Sequence, residues 1–290
     1  MRDFRLQTLV DCIKILQKRQ MSLSDLLAYG WLWVKPSEDR KVMPNKMYDR
    51  IDLVQLRKIS FKLAQRDPAW FPRLFEPTTL GIRTWEYGVM LKHVSFRGKT
   101  VLDVGPGNSR LPKNLSKMGA KVTMLDMDEP LEKTEIKKDK NLRFVLGDMT
   151  KISFKDNLFD RVICISAIEH VDMKSGGKFF DLSEYLNRAL QAIREMARVT
   201  KKGGVFYLTT DFYLPEQKTD KWSESTDKIH GAFPWTYIDK FAEEIEKSGI
   251  KLNSKVESDE EILRGNTNKA IYRGRYFTTV AFMGSKTDKQ

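Results

Sequence analysis

The chain has 290 residues, of which 41% are hydrophobic, and its formal net charge is +12. These values are typical of a globular protein with one large domain or two smaller ones. No run of about 18 apolar residues occurs in the sequence, which excludes a membrane-spanning helix, and charged residues interrupt residues 1–16, unlike a signal peptide. We therefore expect a cytoplasmic protein.

The basic charge alone does not define a partner. Basic residues are spread along the chain and are accompanied by acids, as in EKTEIKKDK at residues 132–140. A nucleic acid, an acidic membrane surface, an anionic substrate and a lysine-rich solvated exterior are all compatible with this charge. The two cysteines, Cys12 and Cys164, lie in amphipathic helical and apolar strand patterns, so we predict buried free thiols and no metal site.

Residues 1–97 are predicted to form a helical N-terminal region. Apolar residues recur there at helical spacing, as at Leu9, Ile13 and Leu16. Prolines between positions 36 and 77 indicate several short helices joined by loops. The segment GIRTWEYGVMLKHV, residues 81–94, predicts a helix that leads into the next region.

Residues 98–290 show the pattern of a second, α/β domain. Apolar runs alternate with helical or polar segments: TVLDV, KVTMLD, LRFVLGD, FDRVICIS and GGVFYLTTD. Such runs indicate a parallel sheet with helices on both faces. Two closing strands are predicted from KLNSKVE and RYFTTVAFMG, and an amphipathic helix capped by Asp181 and Glu184 precedes the fifth run. We predict a Rossmann-like doubly wound seven-stranded sheet.

Acidic residues follow three of these predicted strands. In VLDVGPGNSRLPKNL, Asp103 is followed by Gly105 and Gly107 and then by a helix, and glycines at such a turn let the backbone approach a cofactor closely. The second strand ends in Asp126, where a carboxylate can accept hydrogen bonds from both ribose hydroxyls. Asp148 follows the third strand. For any one acid a turn or helix-cap role is the alternative explanation.

The carboxyl ends of parallel strands meet at one edge, so the three acids are expected to line one crevice. Three acids disfavour an anionic pyrophosphate. The third glycine of a dinucleotide fingerprint is replaced by Arg110, which is too large for close packing of helix and strand. An acid before the glycines instead suits a ligand that carries an ammonium or sulfonium group.

With SAIEHV at residues 166–171, the chain from 83 to 283 resembles the class I S-adenosylmethionine-dependent methyltransferases, particularly the small-molecule group similar to methyltransferase type 11. Ser109 stands where that family has its last glycine, and RTWEY at residues 83–87 is similar to a segment that covers the cofactor. The resemblance implies S-adenosylmethionine as cofactor. It implies contacts to the methionine end from Asp103, Gly105, Gly107 and Ser166, to the ribose from Asp126, and to the adenine from Asp148 and the Met149 backbone.

A small-molecule acceptor with an oxygen or nitrogen nucleophile is expected, held between residues 1–97 and the aromatic loop 211–235. Histidine is the natural base near neutral pH, and the candidates are His170, after the fourth strand, and His230, in that loop; His93 is interpreted as structural. An RNA methyltransferase is an alternative, although no RNA-binding module is recognised. A non-catalytic cofactor-binding scaffold is another. The oligomeric state is left open.

Overall fold

The part of the chain that the structure describes is the α/β region and the helix before it. The computed structural model describes residues 80–130, 133–171, 181–215, 231–256, 258–261, 270–272 and 275–287. The predictions for residues 1–79, including Cys12, and for the segment 216–230, including His230, fall outside these ranges.

Five α-helices lie in the described ranges. They are α1 (Leu80–His93), α2 (Leu111–Lys117), α3 (Lys133–Lys138), α4 (Leu182–Val199) and α5 (Ile238–Lys247). Two short 3₁₀ turns, Ile168–His170 and Trp235–Tyr237, follow β-strands. The helix predicted from residues 81–94 is α1, and the predicted capping pair is present, since the Asp181 carboxylate accepts a hydrogen bond from the Glu184 amide at 2.9 Å.

The described strands form one sheet. They are β1 (Thr100–Val104), β2 (Lys121–Asp126), β3 (Leu142–Leu146), β4 (Phe159–Ile165), β5 (Thr200–Tyr213), β6 (Phe233–Pro234), β7 (Ile250–Leu252), β8 (Ala270–Tyr272) and β9 (Arg275–Lys286). The order is β3-β2-β1-β4-β5-β9-β7. The first five strands of this path are parallel, whereas β9 is antiparallel to both of its neighbours.

The seven-stranded path confirms the predicted doubly wound sheet. Two additional strands, β6 and β8, pair with the ends of β5 and β9. They contain two and three residues, which is too short for an alternating pattern to be recognised in a sequence.

Helices cover both faces of the sheet. On one face, α4 and α5 pack against side chains of β1, β4, β5 and β9. On the other face, α1 and α2 pack against side chains that point the opposite way from the same strands. Within α1, Trp85, Val89 and Met90 are fully buried. A fully buried side chain of this size contributes about 1.5 to 3 kcal/mol to stability, so α1 is anchored to the sheet that it precedes.

The α4 stripe is buried as its periodicity predicts, with Leu186, Ala189 and Ile193 facing the sheet. Cys164 is a buried free thiol in β4, as predicted, and burial raises the pKa of that thiol well above its ordinary value. Among the described helices, none combines the length and the apolar composition that a bilayer crossing requires.

Candidate functional site

The turn after β1 requires glycine at its first position. Gly105 has a φ of +68°, in the left-handed region, and a Cβ there would lie 2.6 Å from the Ala167 Cβ. Gly107 also has a positive φ, +52°, but has open space around it. The backbone of the turn is therefore pressed against the residues that follow β4 at Gly105 and is exposed at Gly107.

Asp103 is a buried carboxyl group at the end of β1. Its side chain is 2% exposed, and its Oδ2 atom has no hydrogen-bond partner among the described residues. Burial, and to a smaller extent the nearby charge of Asp126, raises its pKa to about 8. A carboxylate in this environment is costly unless a cation or a hydrogen-bond donor meets it. The ammonium group of a methionine moiety has the required charge and donors.

Asp126, at the end of β2, faces the glycine turn. Its Oδ2 accepts a hydrogen bond from the Gly107 amide at 2.8 Å, and its Oδ1 accepts one from the Asp128 amide at 3.1 Å. Each carboxylate oxygen has a second lone pair, so the group can accept two further hydrogen bonds. The residue is partly exposed, which leaves those positions accessible to a sugar.

Two exposed apolar side chains lie beside these acids. Met127 is 65% exposed and Leu146 is 61% exposed, and they are the large exposed hydrophobic residues of the described part of the chain. Leu146 is paired in register with Asp126 across β2 and β3. Sequence reasoning missed them, although an apolar residue directly after the acid of a strand end was visible in the sequence.

Asp148 and Met149 reach the same edge from β3. Burial alone would raise the pKa of Asp148, but hydrogen bonds from Thr150 and the Arg188 guanidinium, 3.1 Å away, outweigh it and hold that pKa below its ordinary value. The Met149 methyl group would be 3.3 Å from a Cβ at Gly105. The loop after β3 is therefore in contact with the glycine turn.

Ser166 follows β4 in a strained conformation. Its φ is +42°, which is rare for a residue with a Cβ. Its amide donates to the Thr209 carbonyl at 3.0 Å, and its hydroxyl donates to Glu86 Oε1 at 2.5 Å. Its hydroxyl is therefore held by the protein, and the backbone around it is the part that faces the turn, since the next residue, Ala167, meets Gly105.

A set of buried and partly buried polar residues that sequence reasoning missed lies behind Ser166. Glu86 on α1 is fully buried and forms an ion pair with Arg83 at 2.8 Å. Glu169 accepts a hydrogen bond from the Thr210 hydroxyl at 2.9 Å, and Asp211 accepts one from Thr279. Burial raises the pKa of Glu169 to about 7, although a backbone hydrogen bond and the charge of Arg83 oppose the shift, and burial together with the charge of Glu169 raises the pKa of Asp211. The sequence did contain one signal of these residues, because Glu86 is an acid within an otherwise apolar helical segment.

The two histidines of the described ranges, His93 and His170, are well separated by the fold. His170 is exposed in the 3₁₀ turn after β4, at the carboxyl edge of the sheet, and its amide donates to the Ala167 carbonyl. His93 is exposed in the last turn of α1, next to Ser95, whose carbonyl meets Arg161 near the start of β4. His93 therefore lies toward the amino edge, away from the acids.

A cavity of about 110 Å³ lies on the outer side of the glycine turn, between α2 and α3. Of the predicted cofactor residues only Gly107 lines it. Within the described ranges no group of three or more His, Cys, Asp or Glu side chains is placed to hold a metal ion.

The sheet order, the glycine turn and the acids at the strand ends define a Rossmann-like binding domain. Residues 102–208 match the family model described as a methyltransferase domain. This part of the chain is therefore a class I S-adenosylmethionine-dependent methyltransferase domain.

Curated relatives match part of the chain. A sterol 24-C-methyltransferase of Gibberella zeae is 34% identical over 40% of this chain and 30% of its own length. A demethylmenaquinone methyltransferase of Renibacterium salmoninarum is 29% identical over 42% of this chain and 45% of its own length. A ubiquinone biosynthesis O-methyltransferase of Coxiella burnetii is 31% identical over 31% of this chain and 45% of its own length. The chain thus spans less than half the length of these relatives.

Proposed function

We propose that this chain transfers a methyl group from S-adenosylmethionine to an oxygen or nitrogen of a small-molecule acceptor. The observation that carries the proposal is the unpaired, buried Oδ2 atom of Asp103 beside the Gly105 turn. A buried carboxyl oxygen with no partner among the described residues matches the ammonium of the methionine moiety, which would stabilise the ionised carboxylate, whereas the pyrophosphate of a dinucleotide offers it neither a positive charge nor a hydrogen-bond donor.

The other residues of the edge are assigned in the same way. Asp126 accepts hydrogen bonds from the ribose, because its free lone pairs are accessible. The Met127 and Leu146 side chains and the Met149 backbone provide the apolar and polar parts of an adenine site, with Asp148 beside them. Ser166 borders the amino-acid end through its backbone. When bound, the cofactor supplies an electrophilic methyl group, and the protein supplies position and the exclusion of water.

A small molecule is the acceptor class that the comparisons favour. The matched relatives are named for sterol, demethylmenaquinone and ubiquinone-biosynthesis methylation.

Asp126→Ala is expected to weaken S-adenosylmethionine binding by about 1.5 to 3 kcal/mol, the scale of hydrogen bonds lost to a charged group. Isothermal titration calorimetry measures this change. Asp139→Ala is the matched control, because Asp139 likewise accepts from the amide two residues on, that of Asn141, at 2.9 Å. Equal affinity of the Asp126 variant and the wild type would remove Asp126 from the site.

His170 is proposed as the base for a hydroxyl acceptor, with His230 as the other candidate. His170 is the histidine of the described residues that lies at the ligand edge. His170→Gln should leave the cofactor Kd nearly unchanged and lower kcat by about 10² to 10⁴. Turnover at the wild-type rate with an unchanged pH profile, in both this variant and His230→Gln, would show that no histidine base is needed. Cofactor binding without turnover on any acceptor would instead support a non-catalytic scaffold.

A further inference from the structure

We propose that Glu86 is a positioning residue of the cofactor site, which holds the Ser166 backbone in place from helix α1. The role rests on the proposed function, because it assumes that the cofactor's amino-acid end lies between Ser166 and the glycine turn. Glu86 is fully buried and protein donors meet both of its carboxylate oxygens, so it acts through other residues rather than on a ligand.

The Glu86 carboxylate connects α1 with the ends of two strands. Its Oε1 atom accepts hydrogen bonds from the Ser166 hydroxyl at 2.5 Å and from the Thr209 hydroxyl at 2.6 Å. These partners are 80 and 123 residues away in the sequence. The backbone carbonyl of Glu86 accepts a further hydrogen bond from the Tyr207 hydroxyl at 2.8 Å. Both ends of the residue are thereby fixed to β4 and β5.

Arg83 makes this buried charge tolerable. Its guanidinium lies 2.8 Å from Glu86 Oε2, one helical turn away, and its side chain is about a third exposed. Burial opposes the charge of Arg83, but Glu86 and the neighbouring acids Glu169 and Asp211 hold the pKa of Arg83 above its ordinary value. The carboxylate thus has three donors, which is the condition for retaining a charge in a buried position.

The conformation of Ser166 shows why such a restraint is needed. A serine with a φ of +42° persists only where its surroundings over-determine it, and such residues cluster at ligand sites. The Thr209 residue that donates to Glu86 also accepts the Ser166 amide, through its carbonyl at 3.0 Å and its hydroxyl at 3.2 Å. Ser166, Thr209 and Glu86 therefore form a closed set of hydrogen bonds.

A change at Glu86 has a direct route to the glycine turn. Ser166 precedes Ala167, and the Ala167 Cβ occupies the space that a Cβ at Gly105 would need. If Ser166 relaxes to an ordinary conformation, Ala167 moves relative to Gly105, and the gap that receives the cofactor changes its width. Small displacements of positioned groups have large effects on binding sites of this kind.

The test compares Glu86→Gln with Asp160→Asn. Asp160 is the matched control, because its carboxylate also has three donors: the Thr100 amide at 2.9 Å, the Thr100 hydroxyl at 2.7 Å and the Lys201 ammonium at 3.0 Å. It lies at the amino ends of β1 and β4, away from the site. Both variants should lose thermal stability. Only Glu86→Gln should raise the Kd for S-adenosylmethionine in calorimetry, by about tenfold to a hundredfold.

Ser166→Ala and the double variant keep the proposal testable if Glu86→Gln folds poorly. Ser166→Ala removes one hydrogen bond and should raise the Kd by about threefold to tenfold. In the double variant the two effects on Kd should not add, since they act through one contact. If Glu86→Gln and Ser166→Ala both bind S-adenosylmethionine with the wild-type Kd, while Asp126→Ala binds it more weakly, the proposed role of Glu86 is overturned and the proposed function stands. No binding by the wild-type protein would overturn the proposed function and this role with it.

Discussion

Asp103→Asn is expected to weaken S-adenosylmethionine binding by about 2 to 5 kcal/mol, the cost of removing one partner of a buried charge pair. The variant keeps the size of the side chain but loses the negative charge that the ammonium would meet. In the free protein the raised pKa of about 8 leaves Asp103 protonated at neutral pH. Binding of a cation therefore releases a proton, and wild-type affinity should rise between pH 6 and pH 8, whereas that of the variant should not.

The same substitution should change how stability depends on pH. The ordinary pKa of this carboxyl is 3.8, and in the folded protein it is about 8. Between these values the folded state binds one more proton than the unfolded state, so the free energy of unfolding falls as pH rises. The stabilisation that comes from protonated Asp103 is complete below about pH 4 and is lost as the pH rises to about 8. Between these pH values, the free energy of unfolding of Asp103→Asn should therefore rise relative to that of the wild type by about 1.4 kcal/mol for each pH unit.

Urea denaturation at several pH values between 5 and 8, without ligand, measures the difference in free energy of unfolding between the two proteins. Other titrating groups, such as Glu169 and Asp211, are common to both proteins and cancel in the difference. Parallel curves would mean that Asp103 is ionised in the folded state and already has a partner. Calorimetry in buffers of different ionisation enthalpy detects the released proton independently.

Gly105→Ala is expected to destabilise the fold by about 2 to 5 kcal/mol and to abolish cofactor binding. Part of the cost is the left-handed backbone at a φ of +68°, and part is the contact of 2.6 Å with the Ala167 Cβ. Because the neighbouring atom belongs to a short side chain, the clash cannot be relieved by a rotamer change.

Gly203→Ala separates the two costs. Gly203 has the same φ of +68°, but no atom lies within 4 Å of the Cβ position. We expect this control to lose only about 1 to 2 kcal/mol, from backbone strain. Equal destabilisation of the two variants in urea denaturation would mean that the contact with Ala167 is relieved without cost.

The sequence was sufficient to predict those elements of the fold that have a local hydrophobic pattern. The apolar stripe of α4, the cap at Asp181 and the apolar runs of β1 and β4 are periodic within a few residues, and these predictions are confirmed. The parallel order then places the ends of β1, β2 and β3 at one edge, which is why Asp103 and Asp126 could be predicted to lie together.

The parts that were missed depend on pairing between distant segments. Nothing near Glu86 indicates that its carboxylate meets Thr209, 123 residues later. Likewise, the guanidinium of Arg188 on α4 donates a hydrogen bond to the carboxylate of Asp148, which lies 40 residues earlier in the sequence. Short elements were also missed: α3, at residues 133–138, contains mostly charged residues, and its sequence was interpreted only as a charged stretch. The local periodicity of a sequence does not predict contacts between residues that are far apart in the chain.

The position of β9 in the sheet bears on how the protein is made. This strand is built from residues 275–286, yet it lies in the interior of the sheet, between β5 and β7. Residues 205–213 of β5 pair with it along nearly their whole length. Until residues 275–286 have been synthesised, the backbone groups of β5 that pair with β9 lack these partners, and an unpaired strand edge of this kind is a general site for pairing with other chains.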